Sequence, residues 1–241
     1  MKRLLPILAL AILMSACVTP TEQKDLKFSV LGDSFSSLEG TVDPETNDIW
    51  HYDNIGVTSP EQMWWHKVST TMEWPLDKNN SFSGSLICNF SDFNGGDHYL
   101  PNSFINRMDN LGDPDVILVF GGTNDIYKRA PLGDFVYGDW TEEQLCAFRP
   151  AMAYLLDNLK TLYPKAEVYF LVDMELCIND TTIDDSIRLA YLDSMHRIAS
   201  RYHVPCIDIY GIHKAWWHPD EEGQDGIARQ VIEALQLDFN V

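Results

Sequence analysis

Four short runs rich in β-branched and aromatic residues, 27–31, 116–120, 167–172 and 204–209, alternate along the chain with segments of helical period. A weaker fifth run surrounds Asn80 to Phe82. The helical segments are 60–72, 184–202 and 222–237, with 141–162 reading as two helices because Pro150 is tolerated only in a first turn. Thr141 and Gln144 form a capping box at the start of the first of these. Strands that alternate with helices make a parallel sheet covered on both faces, so the expected fold class is α/β: a three-layer α/β/α sandwich with a five-stranded parallel sheet. Such a sheet binds its ligand beyond the carboxyl ends of its strands, where the connecting loops gather.

The residues at those ends suit acyl transfer. Gly32-Asp33-Ser34 follows the first strand, Ser83-Gly84 the second, Gly121-Gly122-Thr123-Asn124-Asp125 the third, and a stretch holding His218 the fifth. Ester cleavage needs a nucleophile, a base, and donors aimed at the oxygen that becomes negative in the tetrahedral intermediate. Ser34 fits the first role and His218 the second, since imidazole titrates near neutrality and can return its proton to the leaving alcohol. The backbone N–H groups of Ser34 and Gly84 and the side-chain amide of Asn124 fit the third. Taken singly, each motif is more often a turn or a helix cap, and His213 competes with His218 as the base; the four together, in order and each at a strand end, shift the weight to catalysis.

The ordered blocks Gly32-Asp33-Ser34, Asn80-Ser81-Phe82-Ser83-Gly84, Gly122-Thr123-Asn124-Asp125 and His218-Pro219 with Gly223 resemble those of the SGNH/GDSL hydrolases across nearly the whole chain. The resemblance implies a flavodoxin-like strand order, Ser34 and His218 as catalytic residues, and Ser34, Gly84 and Asn124 as the oxyanion hole. One position departs from it. The acid usual three residues before the histidine is replaced by Ala215. A backbone carbonyl that holds the His218 tautomer, giving a Ser–His dyad, Asp208 at the end of the last strand, or another acid are the three ways to replace it.

The chain opens with Lys2 and Arg3, an apolar run over 4–14, and Ser15-Ala16 before Cys17. The run is shorter than the roughly 20 residues that cross a bilayer, so residues 1–16 read as a lipoprotein export signal. On this reading Cys17 carries a lipid anchor, residues 17–26 form the lipidated N-terminus and linker, and 27–241 are one hydrolase domain exported to the cell envelope, on its periplasmic or outer-surface side. The formal net charge of −19 disfavours nucleic acid and anionic lipid headgroups, and favours neutral substrates.

Cys88, Cys146, Cys177 and Cys206 lack paired CxxC spacing, and the seven histidines lie apart without ligand spacing, so no metal is expected. No phosphate-cradling or dinucleotide glycine motif is present, and no cofactor is expected. Disulfides or free thiols suit the four cysteines equally. At least one of Trp64 and Trp65 is expected in the core, whereas Trp216 and Trp217, beside His218, are candidates to line a site and stack on a sugar ring or acyl chain. Arg149, at a helix start where a cation opposes the dipole, is expected to have a carboxylate partner. The function these features suggest is hydrolysis of a small-molecule or carbohydrate ester, with removal of an acetyl group as the narrower reading. The rival is a carbohydrate-binding lipoprotein that has lost turnover, and a third reading is an acyltransferase using the same residues.

Overall fold

A computed structural model of the protein describes residues 26–42, 55–91 and 100–240. The export signal, Cys17 and the linker as far as residue 25 lie outside the described residues. Strands β1 (Phe28–Gly32), β2 (Leu76–Ser81), β3 (Val116–Phe120), β4 (Glu167–Asp173) and β5 (Cys206–Ile209) form one sheet in the order β2-β1-β3-β4-β5. Every neighbouring pair is parallel. The order is that of flavodoxin-like doubly wound sheets, as the sequence blocks imply.

The helices are α1 (Trp64–Met72), α2 (Phe104–Arg107), α3 (Thr123–Tyr127), α4 (Phe148–Leu162), α5 (Asp185–Arg201) and α6 (Glu221–Phe239). Strand residues alternate between two cores because successive side chains point to opposite faces. Phe28 and Val30 of β1 with Val116, Leu118 and Phe120 of β3 pack under α1 and α6. On the other face Leu31, Ile117 and Val119 pack under α2, α4 and α5. The three-layer sandwich therefore follows from runs apolar at consecutive positions, which only a sheet buried on both faces accommodates.

Where structure and expectation differ, the cause is local. β2 starts four residues before Asn80, with Leu76, Asp77 and Lys78 only partly buried or exposed. It is an edge strand, so its outer half lacks the apolar pattern that marks the others. α2 and α3 are single turns, too short to show a helical period. Segment 60–72 begins as a 3-10 turn at Pro60–Gln62, and the extended backbone of Met63 separates that turn from α1. Segment 141–162 likewise splits into a 3-10 turn (Gln144–Cys146) and α4. Its capping box is present: Gln144 N–H donates to Thr141 Oγ1 at 3.3 Å and Thr141 N–H to Gln144 Oε1 at 3.0 Å.

Arg149 corrects an expectation. Its guanidinium donates to Ser194 Oγ at 2.9 Å and to the Gly133 carbonyl at 3.0 Å, and lies 4.3 Å from the Phe135 ring centroid. Among the described residues, neutral oxygens and an aromatic face hold it instead of a carboxylate. Cys88, Cys146, Cys177 and Cys206 are all free thiols. No helix among the described residues is long and apolar enough to cross a membrane.

Candidate active site

Ser34 sits on a turn that leaves the end of β1. A Cβ at Gly32 would lie 2.6 Å from both Ser36 Cβ and Ser81 Oγ, so only glycine lets the chain fold back this tightly. The Asp33 carbonyl accepts the N–H groups of Ser36 and Ser37, each at 3.1 Å, while its carboxylate accepts that of Phe35 at 3.0 Å. Trp64 Nε1 then donates to Ser36 Oγ at 3.2 Å, and Trp65 Nε1 to the Ser36 carbonyl at 3.0 Å. Both tryptophans are buried, where at least one was expected to be, and both indoles also brace the turn that carries Ser34. Gln224 of α6 adds a cross-link, accepting the Trp64 N–H at 2.9 Å and donating to the Phe35 carbonyl at 3.4 Å.

Gly84 lies beyond β2 with φ of +78°, a left-handed conformation that favours glycine. Its loop is held from α3. Asp125 is fully buried and its two oxygens accept the N–H groups of Ile87 at 2.9 Å and Cys88 at 3.2 Å. Lys128 Nζ donates to the Gly84 carbonyl at 2.6 Å. Asn124 belongs to the same helical turn, and its amide donates to Asp33 Oδ2 at 3.3 Å, which ties it to the Ser34 turn. An amide has a second N–H, so that bond leaves one donor for a ligand.

Beneath both loops lies Arg107. Its guanidinium donates to the Gly32 carbonyl at 2.6 Å, Ser85 Oγ at 2.9 Å, the Asn102 carbonyl at 2.7 Å and the carbonyl and side-chain oxygens of Asn80. Burial dominates the electrostatics here. It pushes the Asp33 carboxyl up to about 7, against the pull of the Phe35 N–H and Arg107, and that of Asp125 up to about 6. It also pulls Lys128 down to about 8.

His218 arrives on a hairpin formed by β6 (Lys214–Ala215) and β7 (His218–Pro219), in which Ala215 pairs with His218. Trp216 and Trp217 are its tip. The imidazole lies against the Phe35 ring, centroids 6.0 Å apart, and the Trp216 ring, at 5.9 Å. Burial, with a smaller contribution from the Lys214 charge, pushes its pKa down to about 4, so the ring is a neutral base at pH 7. Gly223, in the first turn of α6, permits the hairpin's close approach: a Cβ there would lie 2.0 Å from the His213 carbonyl oxygen.

Ser34, Gly84, Asn124, His218, Trp216 and Trp217 line one cavity of about 200 Å³. Lys128 and Cys177 also contribute to its wall. Asp208 is not brought to it, since its carboxylate bonds His196 Nε2 at 2.7 Å. His213 is also engaged elsewhere, with Asp220 at 2.6 Å. Among the described residues no three His, Cys, Asp or Glu side chains gather as a metal site.

The supporting residues Arg107, Lys128, Asp173, Lys214 and Gln224 were not singled out from sequence. Only Asp173 carried a signal, as an acid at the end of a predicted strand.

The model of the GDSL-like lipase/acylhydrolase family matches residues 26–235. The chain belongs to this family. A solved structure of a protein assigned to the GDSL-like lipases, from Bacteroides ovatus, is 41% identical, with a TM-score of 0.79, and the match covers 88% of this chain and 98% of that one. A second, from Bacteroides uniformis, is 36% identical with a TM-score of 0.77, covering 88% and 96%. An acetyl xylan esterase from Butyrivibrio proteoclasticus shares the fold at 15% identity and a TM-score of 0.56, covering 90% of this chain and 65% of that one. Among curated proteins no match was found. Membership of the GDSL-like family implies a hydrolase acting on esters.

Proposed function

We propose that this GDSL-like protein is an exported, lipid-anchored serine esterase that removes a small acyl group, such as acetyl, from a carbohydrate. One observation carries the reading: side chains and backbone from four strand ends, more than 180 positions apart from Ser34 to His218, line a single cavity. In the proposed cycle Ser34 Oγ attacks the ester carbonyl while His218 accepts its proton. The oxygen that gains charge is received by the N–H groups of Ser34 and Gly84 and the amide of Asn124. His218 then protonates the departing alcohol, and the acyl group stays on Ser34 until water, deprotonated by His218, displaces it.

The size and walls of the cavity support a small acyl group, because about 200 Å³ is less than the roughly 300–1,000 Å³ typical of drug-sized ligands. Its mouth supports a sugar. Trp216 is 62% exposed and Trp217 36%, and Tyr127 packs 5.9 Å from Trp217, so broad aromatic faces stand beside the base in contact with water. Export and lipidation rest on residues 1–17 of the sequence. Ala215 offers no acid and Asp208 is engaged with His196, which leaves a main-chain carbonyl or another acid to hold the His218 tautomer.

The test is labelling with a fluorophosphonate probe followed by peptide mapping, alongside a burst assay with p-nitrophenyl acetate. Label on Ser34, and loss of both label and burst in Ser34→Ala, is the expected result. A folded protein that takes no label at Ser34 overturns the assignment. The absence of an acid at position 215 favours one alternative, a glycan-binding protein without turnover, which would hold acetylated oligosaccharide equally well with and without the Ser34 hydroxyl.

A further inference from the structure

The hairpin that carries His218 has a short ladder of its own. Its ladder consists of two residue pairs, Lys214 with Pro219 and Ala215 with His218. A ladder this short is not stable alone. Trp216 at its tip is left-handed, with φ of +61°, a conformation that bulky residues avoid. Yet a base must stay within bonding reach of the nucleophile, and the acid that would otherwise hold it is absent at 215.

The residue beside Ala215 makes a different connection. Lys214 Nζ bonds Asp173 Oδ2 at 2.7 Å; the Asp173 side chain is fully buried and that of Lys214 is 13% exposed. Asp173 ends β4, a strand paired on both sides, and its other oxygen accepts the Glu175 N–H at 2.9 Å. That bond fixes the turn leading to Cys177 on the cavity wall. The Lys214 ammonium also lies 5.2 Å from the centroid of the Phe35 ring. Phe35 follows Ser34 directly and is the ring against which His218 packs. One ion pair thus joins the sheet, the hairpin and the neighbour of the nucleophile.

We propose that Lys214 and Asp173 are positioning residues for the base, their ion pair anchoring the hairpin so that His218 keeps its place without an acid at 215. The proposal rests on the esterase reading of the site. It separates two tasks that an aspartate combines. The anchor supplies position, but its cationic end opposes formation of the imidazolium, where an aspartate would favour it. Among the described residues, Lys214 of its own hairpin is the charge that acts on the imidazole; Lys128 from α3 and Cys177 from the β4 loop share the cavity wall with it, and Asp220, two residues on, bonds His213 and accepts the Gly223 N–H.

The experiment compares Lys214→Met, Lys214→Arg and the double variant Lys214→Met/Asp173→Leu, which removes both charges and so avoids a lone buried carboxylate. Acylation of Ser34 by p-nitrophenyl acetate is followed as a function of pH, with melting curves beside it. For Lys214→Met and for the double variant kcat is expected to fall by about 10- to 100-fold with KM within about twofold, the scale of a base displaced by about 1 Å. Lys214→Arg should recover most of the loss. The acid limb of kcat/KM should also move to higher pH when the cation is removed, because protonated His218 is then less disfavoured. A double variant that folds and turns over like wild type overturns the proposal, and so does a loss of activity that tracks the melting temperature alone with the acid limb unmoved. Wild-type protein that neither turns over nor labels at Ser34 overturns the esterase reading and this proposal with it; labelled wild type beside unaffected variants overturns this proposal only.

Discussion

Replacing Asp125 with alanine should lower the unfolding free energy at neutral pH by about 2–6 kcal/mol, because it orphans two buried donors at about 1–3 kcal/mol each. The donors are the N–H groups of Ile87 and Cys88, which the carboxylate accepts at 2.9 and 3.2 Å. The lower half of that range is the expectation, since deletion also relieves the cost of burying the carboxyl. That cost has a pH signature. Burial raises the Asp125 pKa from 3.8 to about 6, so the native state holds this proton more tightly than the unfolded chain does. The contribution is fully present below 3.8 and is lost as the pH rises through about 6, a decline of about 3 kcal/mol at most. Asp125→Asn, which cannot titrate, isolates it. Urea unfolding of wild type and both variants at several pH values is the assay. The difference between wild type and Asp125→Asn should shrink from about pH 4 to about pH 6 and then level off. An Asp125→Ala protein within about 0.5 kcal/mol of wild type at neutral pH would refute the assigned role, as would a difference flat across that window.

Two further outcomes are expected. Asn124→Ala should reduce kcat on p-nitrophenyl acetate by about 10²- to 10³-fold with KM little changed, as for loss of one oxyanion donor, and a loss under about tenfold would remove Asn124 from that role. Asp208→Asn should leave turnover within about twofold of wild type and cost less than about 1 kcal/mol in a denaturant titration, because the Asp208–His196 pair is partly exposed and the carboxylate is not on the cavity. A loss comparable to that of Ser34→Ala would make Asp208 the missing acid.

The central strands were legible because β1, β3 and β4 are apolar at consecutive positions, a pattern that solvent-facing structure does not sustain. Ser34, Gly84, Asn124 and His218 were legible as a set because each follows a strand, and a parallel sheet delivers all strand ends to one rim. Arg107 was not. It lies in a one-turn helix with no periodic pattern, and its partners are mainly carbonyl oxygens, which every residue has and no sequence displays. Lys214 was hidden for a related reason: its partner Asp173 is 41 positions away, and nothing local distinguishes a lysine that will be buried from one on the surface. The 3-10 turns before α1 and α4 shifted helix starts by a few residues, since a tight turn and a first helical turn share the same capping chemistry.

Arg107 uses all five of its N–H groups, spread over oxygens of Gly32, Asn80, Ser85 and Asn102. A lysine has only three donors, and no flat fork to reach oxygens lying on several sides, so the exchange of one basic residue for the other would loosen the floor under Ser34 and Gly84 together. The hairpin with its two tryptophans is fastened elsewhere, through Lys214 to Asp173 at the end of β4. Evolution and protein engineers alike therefore meet two differently built parts: an exposed tip with room for substitution, and a foundation that tolerates no piecemeal revision.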